Sequence, residues 1–155
     1  MTTLTLTWES EQATQAFAQQ LALNPHIQNA NLQLSGDLGA GKSTFTRHLL
    51  KALGVVGNIK SPTYAVVEEY QAQSPFGVMN IWHFDFYRFN DPQEWEDAGF
   101  KDIFLSEGLK ISEWSEKAIG YVPQADLHLD IQILDNEARR LRINTFTEKG
   151  RLLLV

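Results

Sequence analysis

Residues 36–43 read Gly36-Asp37-Leu38-Gly39-Ala40-Gly41-Lys42-Ser43 and fit the pattern G-x-x-x-x-G-K-[ST] in full. The glycines of this pattern permit positive φ and let backbone N–H groups converge on phosphate oxygens. A helix that begins directly after the loop adds a partial positive charge at the same point. The pattern therefore predicts a nucleotide-binding loop with these contact residues: Asp37, Leu38, Gly39, Ala40, Gly41, Lys42, Ser43 and Thr44.

The segments on either side of the loop support this interpretation. Residues 30–34 have the composition of a strand, and residues 42–53 carry Phe45, Leu49 and Leu53 on one face of a helix that Gly54 ends. A strand, a glycine-rich turn and a helix in this order are typical of an α/β fold. We therefore predict one P-loop NTPase-like, three-layer domain with a mixed central sheet over residues 1–155.

The rest of the chain divides into short periodic segments. We predict a helix from a Ser10 N-cap to about Leu23, and a short helix that Asp91-Pro92 opens and Gly99 closes. The strands predicted in addition lie at residues 4–8, 64–70, 78–84, 109–113, 127–134, 140–145 and 151–155. The pairs 64–70 with 78–84 and 127–134 with 140–145 are predicted as antiparallel hairpins, and 151–155 as an edge strand.

Two acids at the ends of predicted strands are candidates for a magnesium site. Asp85 follows residues 78–84 and Glu113 follows residues 109–112. Mg²⁺ is bound through one or two carboxylates, phosphate oxygens and water, and the Ser43 hydroxyl can be a further ligand. Strand ends near a phosphate-binding loop usually face the ligand crevice, so either acid can approach the metal. Both alternatives stay open at this stage.

Composition and charge exclude several classes of protein. The 155 residues include no cysteine, which excludes disulfides, thiol catalysis and cysteine zinc sites. No apolar run is long enough for a membrane span and no signal peptide is visible, so we expect a cytoplasmic protein with no membrane contact. The net charge is −6, and we therefore expect no independent tRNA binding.

The negative charge is concentrated in one part of the chain. Residues 85–116 contain nine acids and three bases, so this stretch carries the whole net charge of −6. A solvated acidic face is the simpler interpretation, and a metal site or a surface for a basic partner is the alternative. The basic segment near the C-terminus is left without a role; its members are Arg139, Arg140, Arg142, Lys149 and Arg151.

Several other residues allow two interpretations. The segment around Thr63 is either a plain turn or a loop that senses the γ-phosphate. His83 is expected to be a satisfied buried side chain, and Arg88 is expected to pair with nearby acids rather than act on a phosphate. Trp8 either flanks a base or belongs to the core. The absence of a guanine-reading motif favours ATP over GTP.

Four short motifs together carry a resemblance to a known family. They are residues 36–45 (GDLGAGKSTF), 61–64 (SPTY), 83–88 (HFDFYR) and 113–114 (EW). In order and spacing they resemble the TsaE (YjeE) family, small bacterial P-loop ATPases of the threonylcarbamoyl-adenosine tRNA modification pathway. The resemblance covers about residues 8–135, and the family usually has Thr where this chain has Ser43.

The resemblance implies roles for particular residues. Lys42 would contact phosphates, Ser43 would ligate Mg²⁺, and Thr63 would belong to a switch-like loop. Asp85 would be the acid that places metal or water. Glu113 would be a second acid of the metal site, with Trp114 beside it. Lys42, Asp85 and Glu113 are thus the expected catalytic residues, and Ser43 and Glu113 the expected metal ligands.

The resemblance also implies a function. A Mg²⁺-dependent ATPase of this family works with the TsaD–TsaB complex and supports N6-threonylcarbamoylation of adenosine 37 in tRNA. It is expected to hydrolyse ATP to ADP slowly alone and faster with its partners. Two alternatives remain from the residues: a small-molecule P-loop kinase, and a nonenzymatic binding module whose shape is set by the nucleotide.

Overall fold

The computed structural model describes residues 1–37, 39–62 and 65–155. Its strands form one seven-stranded sheet in the order β1-β7-β6-β2-β5-β4-β3. The strands β2, β4, β5 and β6 run parallel to one another. The pairs β1 with β7, β6 with β7 and β3 with β4 are antiparallel. The predicted mixed sheet is confirmed. The strands are β1 (Thr2–Trp8), β2 (Asn31–Ser35), β3 (Val67–Ser74), β4 (Gly77–Asp85), β5 (Leu109–Glu113), β6 (Leu127–Ile133) and β7 (Arg139–Thr145).

Helices cover both faces of this sheet. The helices are α1 (Glu11–Ala22), α2 (Lys42–Leu53), α3 (Gln93–Asp97), α4 (Phe100–Leu105) and α5 (Glu148–Leu152). Helices α1 and α2 pack on one face in the larger apolar core, and an aromatic cluster that includes Phe84, Trp95 and Phe100 buries part of the other face. The result is the three-layer arrangement expected for an α/β fold. Within the described ranges, no helix has both the length and the hydropathy needed to cross a bilayer.

Helix α2 begins and ends at the residues that the sequence predicts. Gly41 precedes it with φ 112° and Gly54 follows it with φ 102°, both in the left-handed region that favours glycine. Phe45, Leu49 and Leu53 are fully buried, which explains why this face of the helix lies on the sheet. The N-terminus of α2 is thereby fixed at the end of β2, directly after the loop.

The register of the parallel strands brings the two candidate acids together. Glu113 of β5 is the direct partner of Asp85 on β4 and of Leu34 on β2. Successive side chains of a strand alternate between faces, so His83 and Asp85 lie on the same face as buried Ile81. Glu113 is in register with Asp85 and therefore lies on this face as well. Because Ile81 belongs to the core that includes residues of α2, this face of the sheet is the one that α2 covers.

One predicted strand is a helix in the structure, and a further helix was not predicted. Residues 151–155, predicted as an edge strand, do not form one: helix α5 covers Glu148–Leu152. Thr147 caps this helix, because its hydroxyl accepts a hydrogen bond of 3.0 Å from the Gly150 amide. The predicted short helix is confirmed as α3: it ends at Asp97 with Ala98 as its C-cap, and Gly99, with φ 76°, follows directly. Gly99 is also the N-cap of α4, a helix that was not predicted.

Two other predicted boundaries move only slightly. The first strand of the predicted hairpin at 64–70 starts at Val67 and extends to Ser74; residue 64 lies outside the described residues. The hairpin itself is confirmed, with Ser74 opposite Gly77. Pro92, predicted as the first helical residue, is the N-cap of α3, and Asp91 accepts a hydrogen bond from the Gln93 amide.

Gly150 offers a test of the α5 assignment. A Cβ at this position would collide with the backbone carbonyl oxygen of Asp126. We expect Gly150→Ala to lower the free energy of unfolding by about 1–3 kcal/mol, because rigid backbone leaves no room for the added methyl group. Urea unfolding measures this loss.

The matched control is Arg151→Ala, an exposed position of the same helix. It should change the free energy of unfolding by less than about 0.5 kcal/mol. Equal stability of wild type and Gly150→Ala would contradict the packing of α5 described above.

Candidate functional site

A cavity of about 450 Å³ opens where β2, β4 and β5 reach their carboxyl ends. This is the edge of a parallel sheet at which ligands of α/β proteins usually bind. The loop after β2 and the N-terminus of α2 form one wall. The lining residues are Gly39, Gly41, Lys42, Ser43, Thr44, Ser61, Pro62, Asp85, Tyr87, Arg88, Glu113, Trp114 and Arg139.

Lys42 is the buried cation among the described residues that line this cavity. Only 7% of the residue is exposed, and its Nζ donates a hydrogen bond of 2.8 Å to the Gly36 carbonyl oxygen. The same nitrogen lies 3.7 Å from Glu113 Oε1 and 5.0 Å from the centre of the Trp114 ring. A buried ammonium group needs such compensation, because its transfer from water is costly. The Glu113 carboxylate, the Gly36 carbonyl and the Trp114 ring therefore together compensate the buried charge of Lys42.

Gly36, the first residue of the motif, has a packing role of its own. Its φ is 140°, and a Cβ at this position would collide with the Ile131 carbonyl oxygen of β6. The glycine is thus required by the neighbouring strand, whether or not a phosphate is bound. This close approach places the Gly36 carbonyl where Lys42 reaches it.

Glu113 connects Lys42 to a second buried residue. His83 Nε2 lies 2.7 Å from Glu113 Oε2, and only 2% of His83 is exposed. An ionised carboxylate can only accept hydrogen bonds, so Nε2 carries the hydrogen that it donates to Glu113. His83 is therefore buried as expected and partnered through Nε2, but its Nδ1 has no hydrogen-bond partner among the described residues, so the prediction of a satisfied histidine is confirmed only in part. Both Glu113 oxygens face groups of the protein, whereas within the described residues Asp85 has a hydrogen-bond partner at Oδ1 alone.

Asp85 is half-buried and points to the same cavity. Its Oδ1 accepts a hydrogen bond of 2.9 Å from the Tyr87 amide. Burial raises the pKa of the Asp85 carboxyl, and the neighbouring Glu113 charge adds to the rise, while the Tyr87 hydrogen bond opposes it. A carboxylate that is destabilised in the protein alone gains from a nearby cation. Of the two acids, Asp85 is therefore the one whose ionised form a bound metal ion would stabilise.

One aromatic residue, Trp114, lies beside the lysine, and a second, Tyr87, packs on Trp114. Trp114 has φ 58°, a left-handed conformation that is unfavourable for a bulky side chain. This turn ends β5 and lays the indole ring beside Lys42. The exposed ring of Tyr87 lies 5.0 Å from it, centre to centre. The sequence analysis placed Trp114 beside the second acid, and the structure has it there.

Most of the predicted nucleotide contacts surround this cavity. Gly39, Gly41, Lys42, Ser43 and Thr44 line it. Ala40 lines a second cavity on the other side of Gly41, and Asp37 lines a third, smaller one that Lys42 also borders. Leu38 and Thr63 lie outside the described residues, so their predicted contacts stay predictions.

The sequence analysis missed Arg139. This residue begins β7, about a hundred positions after the loop, and its Nε donates a hydrogen bond of 2.9 Å to the Ala40 carbonyl oxygen. It lines both the main cavity and the second one. Trp8, its register partner on β1, is 3% exposed and packs on Phe45, which confirms the core alternative, although the ring also borders the second cavity.

The residues of the main cavity fit a magnesium nucleotide. A helix N-terminus, a lysine and a loop of glycines provide donors for phosphate oxygens. Ser43 and Asp85 provide the hydroxyl and carboxylate oxygens that Mg²⁺ prefers, and two such ligands suffice. Among the described residues there is no group of three or more His, Asp or Glu side chains that could hold a metal alone.

The raised pKa of Asp85 leads to a prediction about stability. Below the ordinary Asp pKa the carboxyl is neutral in both the folded and the unfolded chain; as the pH rises through the raised folded pKa, ionisation costs folded-state stability. We therefore expect Asp85→Asn, which keeps the Tyr87 hydrogen bond, to raise the melting temperature at pH 7. The gain should vanish near pH 3.

The control for this measurement is Asp102→Asn, an exposed acid on α4. It should change the melting temperature little across the same pH range. A lower melting temperature for Asp85→Asn at pH 7 would contradict the described electrostatics of the site.

Comparison with known proteins places the chain in a family. The family model described as "Threonylcarbamoyl adenosine biosynthesis protein TsaE" matches residues 8–141. The chain is 42% identical to the tRNA threonylcarbamoyladenosine biosynthesis protein TsaE of Haemophilus influenzae over 136 residues, which is 87% of this chain and 83% of the relative. It is 36% identical to the Bacillus subtilis protein of the same name over 119 residues, 77% of this chain and 70% of the relative.

A solved structure agrees with this match. The crystal structure of Bacillus subtilis YdiB superposes with a TM-score of 0.78 and 25% sequence identity, and the match covers 99% of this chain and 92% of that one. The predicted P-loop NTPase-like fold and the resemblance in the sequence motifs are both confirmed. The chain belongs to the TsaE family of threonylcarbamoyl adenosine biosynthesis proteins.

Proposed function

We propose that this protein is a Mg²⁺-dependent ATPase, with low activity alone, that acts in the cytoplasm in the formation of threonylcarbamoyladenosine in tRNA. One observation carries the enzymatic part of the proposal. The buried Lys42 and the N-terminus of α2 border the same cavity as the paired acids Asp85 and Glu113. One cavity thus contains groups that can bind phosphate together with acids that can position a metal ion or water.

The residues of the cavity divide the chemistry between them. Lys42 would turn from Glu113 and the Gly36 carbonyl to the phosphate oxygens, so ligand charge would replace the compensation that Lys42 now has. Ser43 and Asp85 would hold Mg²⁺, which when bound neutralises charge on the phosphates. Glu113, held by His83, would orient the attacking water or a metal-bound water.

The partners that we propose are the TsaD and TsaB proteins, with the modification of adenosine 37 as the outcome. The names of the relatives support the pathway, since they describe tRNA threonylcarbamoyladenosine biosynthesis proteins. The net charge of −6 argues against tRNA binding by this chain alone. A role that depends on partner proteins accommodates both facts.

The alternative of a small-molecule kinase finds less support. Such an enzyme needs an acceptor pocket and usually an arginine-bearing lid helix. The arginine cluster of this chain, residues 139–142, lies on strand β7 instead. We therefore assign ATP hydrolysis, with water as the acceptor.

The test is ATP hydrolysis by purified Lys42→Ala, alone and with TsaD and TsaB. We expect no detectable phosphate release, because the variant lacks the cation that compensates the phosphate charge. Lys51→Ala is the matched control, since Lys51 lies exposed on the same helix. Its rate should equal that of the wild type.

Three outcomes would contradict the proposal in different ways. Normal turnover by Lys42→Ala would remove the assigned site. ATP consumption by the wild type only when a small-molecule acceptor is added would favour the kinase. Nucleotide binding without any single-turnover hydrolysis, even with TsaD and TsaB present, would favour the nonenzymatic binding module.

A further inference from the structure

A small cavity of about 30 Å³ lies between α2, β4 and the segment that precedes β3. Its lining residues are Ser43, Thr46, Arg47, Ile59, Lys60, Ser61 and His83. Ser43 and Ser61 line the main cavity as well, so the two cavities adjoin. One water molecule occupies about 30 Å³ in the liquid, so the small cavity has the size of a single water.

Two buried polar atoms in the lining of this cavity have no hydrogen-bond partner within the described residues. They are Nδ1 of His83 and Oγ1 of Thr46, in residues that are 2% and 1% exposed. A buried polar atom without a partner loses its hydrogen bonds to water and gains none in return. Two such atoms around one small cavity therefore indicate a ligand that satisfies both.

The hydroxyl of Thr46 is available to such a ligand. A threonine inside a helix often donates its hydroxyl to the carbonyl oxygen four residues earlier, which here is that of Lys42. Thr46 makes no such bond. Because it lies four residues after Lys42, it is on the same face of α2 as the lysine of the main cavity.

The chemistry of His83 selects the ligand. Its Nε2 carries the hydrogen that it donates to Glu113, so Nδ1 of the neutral ring is an acceptor. The lone pair on Nδ1 disfavours an anion, and the lining residues Arg47 and Lys60 disfavour a cation. A neutral donor of one heavy atom remains. Water can donate to Nδ1 and form a second hydrogen bond with the Thr46 hydroxyl, which both donates and accepts.

We propose that this cavity binds one ordered water that joins Thr46 to His83, and that Thr46 is a positioning residue for Glu113. The hydrogen-bond chain runs from Thr46 Oγ1 through the water to His83 Nδ1, and from His83 Nε2 to Glu113 Oε2 at 2.7 Å. The inference rests on the ATPase function proposed above. It adds to that function the means by which α2 holds the acid.

The chain matters most when a nucleotide is bound. Without nucleotide, Glu113 Oε1 lies 3.7 Å from Lys42 Nζ, so the lysine also holds the acid. Once Lys42 turns to the phosphate oxygens, His83 is the remaining side-chain partner of Glu113 among the described residues. Exact placement of a group that orients water affects the reaction step more than substrate binding. Loss of the chain should therefore lower kcat and leave KM nearly unchanged.

The kinetic test removes the Thr46 hydroxyl and keeps the shape of the side chain. We expect Thr46→Val to lower kcat for ATP hydrolysis, measured with TsaD and TsaB, about tenfold and to change KM for ATP less than about threefold. Thr46→Ser, the matched control, keeps the hydroxyl and should retain kcat within about twofold. Melting temperatures show that both variants are folded.

A double mutant shows whether Thr46 acts through His83. If the water transmits its effect by way of the ring, Thr46→Val should change kcat less than about twofold when it is added to His83→Gln. A further tenfold loss in that background would mean that Thr46 acts independently of His83, and would contradict the chain.

Nuclear magnetic resonance tests the water site without any nucleotide. In the wild type and in Thr46→Ser, the ¹⁵N resonance of His83 Nδ1 should have the position of an acceptor nitrogen that is hydrogen-bonded. In Thr46→Val the water loses one of its two partners, so this resonance should move toward the position of a free imidazole nitrogen.

The outcomes separate this inference from the proposed function. An unchanged Nδ1 resonance in Thr46→Val would overturn the water site. An unchanged kcat, or equal losses of kcat in Thr46→Val and Thr46→Ser, would overturn the positioning role. Failure of the wild type to hydrolyse ATP even with TsaD and TsaB would overturn the proposed function, and the positioning role with it, whereas the resonance would still decide the water site.

Discussion

The buried ammonium group of Lys42 is the constraint on which the organisation of the site depends. Its charge is removed from water, so the fold must supply a compensating group. Glu113 does so at 3.7 Å, and His83 in turn holds Glu113 at 2.7 Å. These three residues come from α2, β5 and β4, and the parallel register of β4 with β5 places His83 and Glu113 on the same face of the sheet. The chain thus pre-forms the site through an internal balance of charge.

This balance has a consequence for ligand binding. A nucleotide brings negative charge to a lysine that already has a carboxylate, a carbonyl and an aromatic ring around it. Binding is therefore an exchange of partners, in which Glu113 loses part of its compensation while the phosphates gain it. A magnesium ion near Asp85 and Glu113 would offset the negative charge that the exchange leaves behind. Cation and nucleotide are expected to support each other's binding for this reason.

The parts of the fold that could be predicted from sequence are those with strong local signals. The loop, the bounds of α2 and the strand β5 were predicted because the positions of glycines and the spacing of apolar residues indicated the same element at each place. The segment 151–155 was predicted wrongly because its apolar residues resemble a strand, while the Thr147 cap before α5 was overlooked. Helix α4 was missed because Gly99 was interpreted only as the residue that closes the preceding helix, whereas it is also the N-cap of α4.

The candidate site could be predicted in part for a similar reason. Lys42 stands out because it belongs to the pattern G-x-x-x-x-G-K-[ST], and Asp85 and Glu113 stand out because each follows or ends a predicted strand. Arg139 has no such signal: its place beside Ala40 depends on the pairing of β7 with β1 and β6, a non-local feature of the sheet. The hydrogen bond from His83 to Glu113 likewise depends on parallel pairing between strands that are far apart in the chain.

A crystal structure with Mg²⁺ and a nonhydrolysable ATP analogue would show whether this site binds the nucleotide and the metal together. The expected arrangement has phosphate oxygens on Lys42 Nζ, the metal on Ser43 Oγ, and at least one of Asp85 and Glu113 in direct or water-mediated contact with the metal. A metal more than about 8 Å from both carboxylates, beyond even a water-mediated contact, would contradict it.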